Sequence, residues 1–129
     1  MSTNLTVACA AAVLSVVAPS ALAHHSFAMF DANKTQTVSG TVKEYEWTNP
    51  HVWIRVMVLD ATGEELEWGI EMASPAQQVR RGWSATTIKP GDKITVTVHP
   101  LKDGSRGGQL MTVVFSGGEL PINPRQARE

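Results

Sequence analysis

Cysteine is nearly missing from this chain of 129 residues. The one present, Cys9, lies inside an N-terminal apolar run. A disulfide needs two, so nothing can staple the fold, and no thiol is left to act once that run is removed. An excess of one charge is missing too. Lys and Arg number 11 against 12 Asp and Glu, a formal net charge of -1, and the two signs are interspersed. That excludes the basic field of a nucleic-acid binder and a surface held electrostatically on a membrane. No apolar run is long enough to span a bilayer comfortably, which takes about 20 residues. No serine sits in a Gly-x-Ser-x-Gly elbow, and there are no internal repeats.

The N-terminus reads as a secretory leader. Its uncharged apolar core covers residues 5–17. Pro19 and Ser20 break that core, and Ala21-Leu22-Ala23 forms a small-x-small cleavage site. The first four residues carry no Lys or Arg, so only the initiator amine is positive. Cys9 is too early for a lipoprotein anchor. Residues 1–23 are therefore expected to be removed on export to the periplasm. The mature chain then begins at His24, with an N-terminal segment over 24–36, a domain over 37–118, and a loose proline-containing tail over 119–129. It has no transmembrane segment. A chain of this size can form one domain on a modest core alone.

From Val38 onward the apolar period is two, which means strands. A first strand over about 38–47 starts with Val38 and Val42 on one face and ends with Tyr45 and Trp47 on the other parity. A bulge or bend reconciles the halves, and Gly40 is a natural place for the bend. In the second strand Val52, Ile54, Val56 and Val58 point inward. Asp60-Ala61-Thr62-Gly63 makes a hairpin turn. In the third, Leu66, Trp68 and Ile70 alternate with Glu65, Glu67 and Glu71. The glutamates are expected to be solvated, with Arg55 partnering one of them across the ladder. Ser74 can cap a short helix that Pro75 opens and Gly82 ends. After the turn Lys89-Pro90-Gly91-Asp92, Ile94, Val96 and Val98 face inward on a fourth strand. A glycine-rich loop over 103–108 leads to a fifth, about 109–115, with Met111 expected in the core. Three strands, a short helix and two strands is the element order of the OB-fold, a five-stranded Greek-key barrel. The expected fold is all-β, with another small sandwich or barrel as the alternative.

Several of these residues carry a resemblance. His24-His25-Ser26-Phe27-Ala28-Met29-Phe30-Asp31, Gly40-Thr41-Val42, Trp47-Thr48-Asn49-Pro50-His51, Gly82-Trp83 and Lys89-Pro90-Gly91-Asp92 together resemble a family of small exported bacterial proteins designated a domain of unknown function. It spans essentially the whole mature chain. The resemblance implies export and a compact β domain, and it carries no catalytic residues.

Cleavage after Ala23 would put a free α-amine beside two imidazoles. An amine and an imidazole on one residue chelate a transition-metal ion, Cu(II) most strongly among the divalent ions. His24 and His25 are therefore the candidate metal ligands, with copper the expected ion. The alternative is a frayed polar terminus. His51 is the candidate third ligand. It follows the turn Asn49-Pro50 on the outer parity, where it could equally hydrogen-bond that turn. His99 competes with it, since the end of the fourth strand should lie near the point where the N-terminal segment enters and His51 towards the other end. The sequence does not decide between them, and His51 is preferred because it sits in the resemblance-bearing element. The methionines show no clustered ligand spacing. Of four tryptophans, Trp68 reads as core, Trp47 and Trp83 as barrel-end covers, and only Trp53 as outward, a thin basis for a stacking platform. No catalytic pair stands out, so a binding protein is expected in preference to an enzyme. Its partner would be a metal ion or another envelope protein; the alternative is an envelope interaction or small-ligand module without metal.

Overall fold

The computed structural model describes residues 27–115. After a single 3-10 turn at Phe27–Met29 the chain forms β1 (Gln36–Glu46), β2 (Trp53–Leu59), β3 (Glu65–Glu71), helix α1 (Pro75–Arg80), β4 (Lys93–Pro100) and β5 (Gly107–Phe115). The strands close into a barrel in the order β1-β2-β3-β5-β4. Every pairing is antiparallel except β3 with β5. This is the all-β, OB-like arrangement that the element order implies, with the short helix between β3 and β4. Among the described residues no helix is long and apolar enough to cross a membrane.

Alternation fills the interior. Val52 just before β2, Ile54 and Val56 from β2, Ile70 from β3, Ile94, Val96 and Val98 from β4 and Val113 from β5 are fully buried. Trp83 and Ile88, in the connection after α1, join the same cluster, and Trp47, Trp68 and Tyr45 pack against it. The Tyr45 hydroxyl is buried with no hydrogen-bond partner among the described residues, and burial pushes its ionisation upward.

The parity change in β1 is a bulge. Val42 pairs with Val56 while Glu44 pairs with Arg55, so Lys43 is the extra residue. Gly40, the expected bend, has another role. A Cβ there would lie 2.2 Å from the Met57 carbonyl oxygen, so the absent side chain lets β1 and β2 approach closely. A second slip corrects the reading of β5. Val96 pairs with Val113 and Val98 with Leu110, which leaves Met111 as the unpaired residue. Met111 is pushed out to 44% exposure, and Leu110 takes the inward position that strict alternation gave to Met111.

The turns follow their side chains. The Asp60 carboxylate accepts hydrogen bonds from the Thr62 amide and hydroxyl and from the Glu64 amide. Ser74 caps α1 by accepting from the Gln77 amide, and Pro75 opens the first turn.

Two outcomes are expected. Ile54→Ala should lower stability by about 2–5 kcal/mol and Ile54→Val by about 0.5–1.5 kcal/mol, read from urea denaturation midpoints. The second concerns acid. The Thr62 hydroxyl first, then the Glu64 amide, hold the Asp60 carboxyl below its usual range. A group depressed on folding stabilises the protein above its unfolded pKa and ceases to do so as the pH falls through its folded value. Asp60→Ala should therefore lower the melting temperature at pH 7, and the gap from the native protein should close below about pH 4.

Candidate metal centre

His24 and His25 lie outside the described residues. The structure does show where the segment that follows them runs. Phe30 is 5% exposed and forms a bridge with Leu101. The Asp31 amide donates to the Pro100 carbonyl (2.8 Å), and the Lys102 amide donates to the Met29 carbonyl (2.9 Å). The Lys102 ammonium donates to the Ala28 carbonyl (2.8 Å). The segment is thus a strap laid antiparallel to the chain leaving β4, with Phe30 as its apolar anchor.

One end of the strap meets His99, whose Nδ1–H donates to the Lys34 carbonyl (2.8 Å). The other end meets His51, where the Phe27 ring lies 6.3 Å from the imidazole, centroid to centroid, at a 33° tilt. His99 follows Val98, which pairs with Gln36 at the start of β1, and His51 precedes Trp53, which pairs with Glu46 at its end, so the two histidines lie towards opposite ends of that strand. Across the other strands Trp53 pairs with Glu71, Glu71 with Gln109 and Gln109 with His99, so one row of the sheet leads from the start of β2 to the end of β4. The strap runs between the two histidines, from Phe27 beside His51 to Lys34 beside His99.

His51 does not stand alone. Its Nδ1 contacts the Glu71 carboxylate. The Glu71 side chain is 7% exposed and that of His51 20%. This corrects the expectation of a solvated glutamate. Glu65 and Glu67 are exposed as alternation implies, and Glu67 pairs with Lys43 at 2.6 Å. Glu71 shares their parity, but it lies at the end of β3, where the turn before β2 covers it. A buried carboxylate is costly unless it is hydrogen-bonded, and the His51 ring supplies one such contact. The hairpin turn at 60–63 could have revealed the pair, because it fixes a register that sets Trp53 opposite Glu71 and His51 just beyond.

Arg55 also differs from expectation. Its Nε donates to Glu46 on β1 (2.7 Å), not to a glutamate of β3. The guanidinium lies 4.9 Å from the centre of the Trp53 ring. It passes over Gly69, where a Cβ would stand 2.8 Å from Arg55 Nη1. The outward Trp53 already carries a cation on its face, which weakens a reading of it as a stacking platform. Among the described residues no group of three or more His, Cys, Asp or Glu side chains is arranged to hold a metal. The described part of the centre is the His51–Glu71 pair.

The model of a family described as "Family of unknown function (DUF6152)" matches residues 11–111. No curated protein matches the sequence. Two crystal forms of the mitochondrial single-stranded DNA binding protein Rim1 from S. cerevisiae are similar in structure. Form 1 has a TM-score of 0.49 at 8% identity, covering 67% of this chain and 98% of that one. Form 2 has a TM-score of 0.48 at 8% identity, covering 64% and 92%. A likeness at that level says nothing about a ligand.

If Phe30 anchors the strap, Phe30→Ala should release it without unfolding the barrel. The amides of Asp31 and Lys102 should lose protection from hydrogen exchange while those of Ile54 and Val96 keep theirs. Equal loss at all four would show that the strap and the barrel unfold together.

Proposed function

We propose, for a chain that belongs to this family of unknown function, that the protein binds one transition-metal ion in the periplasm. The ion is copper, and its ligands are the His24 amine and imidazole, His25 and His51. Residues 1–23 are removed on export, which creates the amine. The role is binding for storage, delivery or sensing, without catalysis.

The observation that carries this reading is the contact of Phe27 with His51. The strap comes to the third histidine at Phe27, two residues after His25 in sequence. Three residues of extended chain reach at most about 10 Å, a length compatible with His24 and His25 joining His51 at one ion. Imidazole and amine are intermediate donors that suit Cu(II). His99 lies at the far end of the strap, with its Nδ1 engaged by the Lys34 carbonyl, and its part is to hold the strap down.

Copper titration of protein beginning at His24 tests this beside protein carrying one additional N-terminal residue. The added residue moves the amine off His24 and should weaken binding by roughly a hundredfold. His51→Ala should weaken it by at least about tenfold, while His99→Ala should leave it within about threefold. Affinity should also fall as the pH drops through the ordinary histidine range near 6.5, because the donors must be deprotonated. Equal copper affinity in the native and extended proteins would remove the terminal chelate. A loss seen with His99→Ala alone would move the barrel ligand from His51 to His99.

A further inference from the structure

We infer that Glu71 is a positioning residue for the metal: it holds the His51 ring in the tautomer that leaves Nε2 unprotonated, so the ring can ligate only through Nε2. The metal half of this inference rests on the function proposed above. The tautomer half stands on the barrel itself.

An ionised carboxylate accepts hydrogen bonds and donates none. With the ionised form of Glu71 against Nδ1, the proton of the neutral ring sits on Nδ1, and the lone pair on Nε2. A free neutral imidazole in water prefers the other tautomer, with its proton on Nε2, so the carboxylate reverses the ordinary preference. The ring cannot easily turn away to escape this. Glu71 is 5% exposed and the His51 side chain 20%, so the surrounding packing restricts rotation of both.

Glu71 is also fixed from both sides. Its backbone pairs with Trp53 on β2 and with Gln109 on β5. The His51 end is held as well: Val52 donates its amide to the Ala73 carbonyl (3.2 Å), Met72 donates to the Val52 carbonyl (2.8 Å), and the Thr48 hydroxyl donates to the His51 carbonyl (3.2 Å). A carboxylate behind one nitrogen of a histidine, with the other nitrogen free for a metal, sets ring orientation and raises ligand basicity. Its negative charge also offsets part of the charge of a divalent ion bound by otherwise neutral nitrogen donors. His51, held between the Thr48 and Val52 contacts, is the one ligand that the barrel itself contributes.

Long-range proton–nitrogen spectra of the metal-free protein beginning at His24, recorded at pH 8, read the tautomer directly. The native His51 ring should show a protonated Nδ1 and an unprotonated Nε2. In Glu71→Met, which keeps the volume and removes the acceptor, the ring should revert to a protonated Nε2, and copper affinity should fall by about 10- to 100-fold. In Glu71→Gln the amide oxygen can still accept, so the tautomer should persist and affinity should fall by less than in Glu71→Met. A native ring protonated on Nε2, which needs no variant to observe, would overturn the inference; so would a Glu71→Met protein with the native tautomer. The native tautomer as expected, together with copper binding that ignores both Glu71→Met and His51→Ala, would leave the pair as a structural contact. That result would overturn the positioning role through failure of the metal reading. Loss of copper affinity in Glu71→Met with a reverted tautomer would support both halves.

Discussion

The barrel depends on one strand serving two neighbours. β1 pairs with β4 through residues 36–41 and with β2 through residues 41–46. A regular strand cannot do both and keep its apolar residues inside, because each residue added to one half flips the face of the other. Lys43 absorbs the extra step. At the same place the Val42 amide donates to the Asp92 carbonyl, and the Val42 carbonyl accepts from the Gly91 amide. The bulge is therefore tied to the turn that starts β4. With β1 bent in this way the sheet closes without a disulfide. Its closure also sets Trp53, Glu71, Gln109 and His99 in one row across the sheet.

The barrel gives two histidines different surroundings. His99 donates through Nδ1 to a main-chain carbonyl of the strap. His51 meets a carboxylate that is nearly buried. The first contact fastens chain to chain. The second sets a carboxylate behind a ring whose other nitrogen makes no hydrogen bond to another described residue. Position in the fold, more than residue type, separates the two contacts.

Much of the barrel was legible in the sequence because its signals are local. Alternation named the inward residues of β2 and β4, and turn chemistry marked residues 60–63 and 89–92. The mismatch between Val42 and Tyr45 showed that β1 must slip. What alternation alone could not show was where a slip falls when nothing in the pattern breaks. In β5, Gln109, Met111 and Val113 share a parity, so Met111 read as core. The slip that expels it comes from the pairing with β4, which is a non-local constraint. Glu71 escaped notice for a related reason. By pattern it is the third of three solvated glutamates, and only its place at the end of β3, beneath the turn that carries His51, buries it. Arg55 found Glu46 because β1 and β3 both flank β2, and a local reading weighed only one of them.

The candidate site divides along the same line. His24 and His25 stand out by their place after Ala21-Leu22-Ala23, and His51 by its place in the Asn49-Pro50-His51 element. Their partners do not, because a strap that bridges Phe30 to Leu101 and brings Phe27 to His51 is made of contacts about 25 to 70 residues apart in sequence. Each such contact must offset a loop-closure cost that grows slowly with the length between the residues. The meeting of Phe27 with His51, and of His51 with Glu71, is therefore a property of the closed barrel, and no pattern local to any one of these segments marks it.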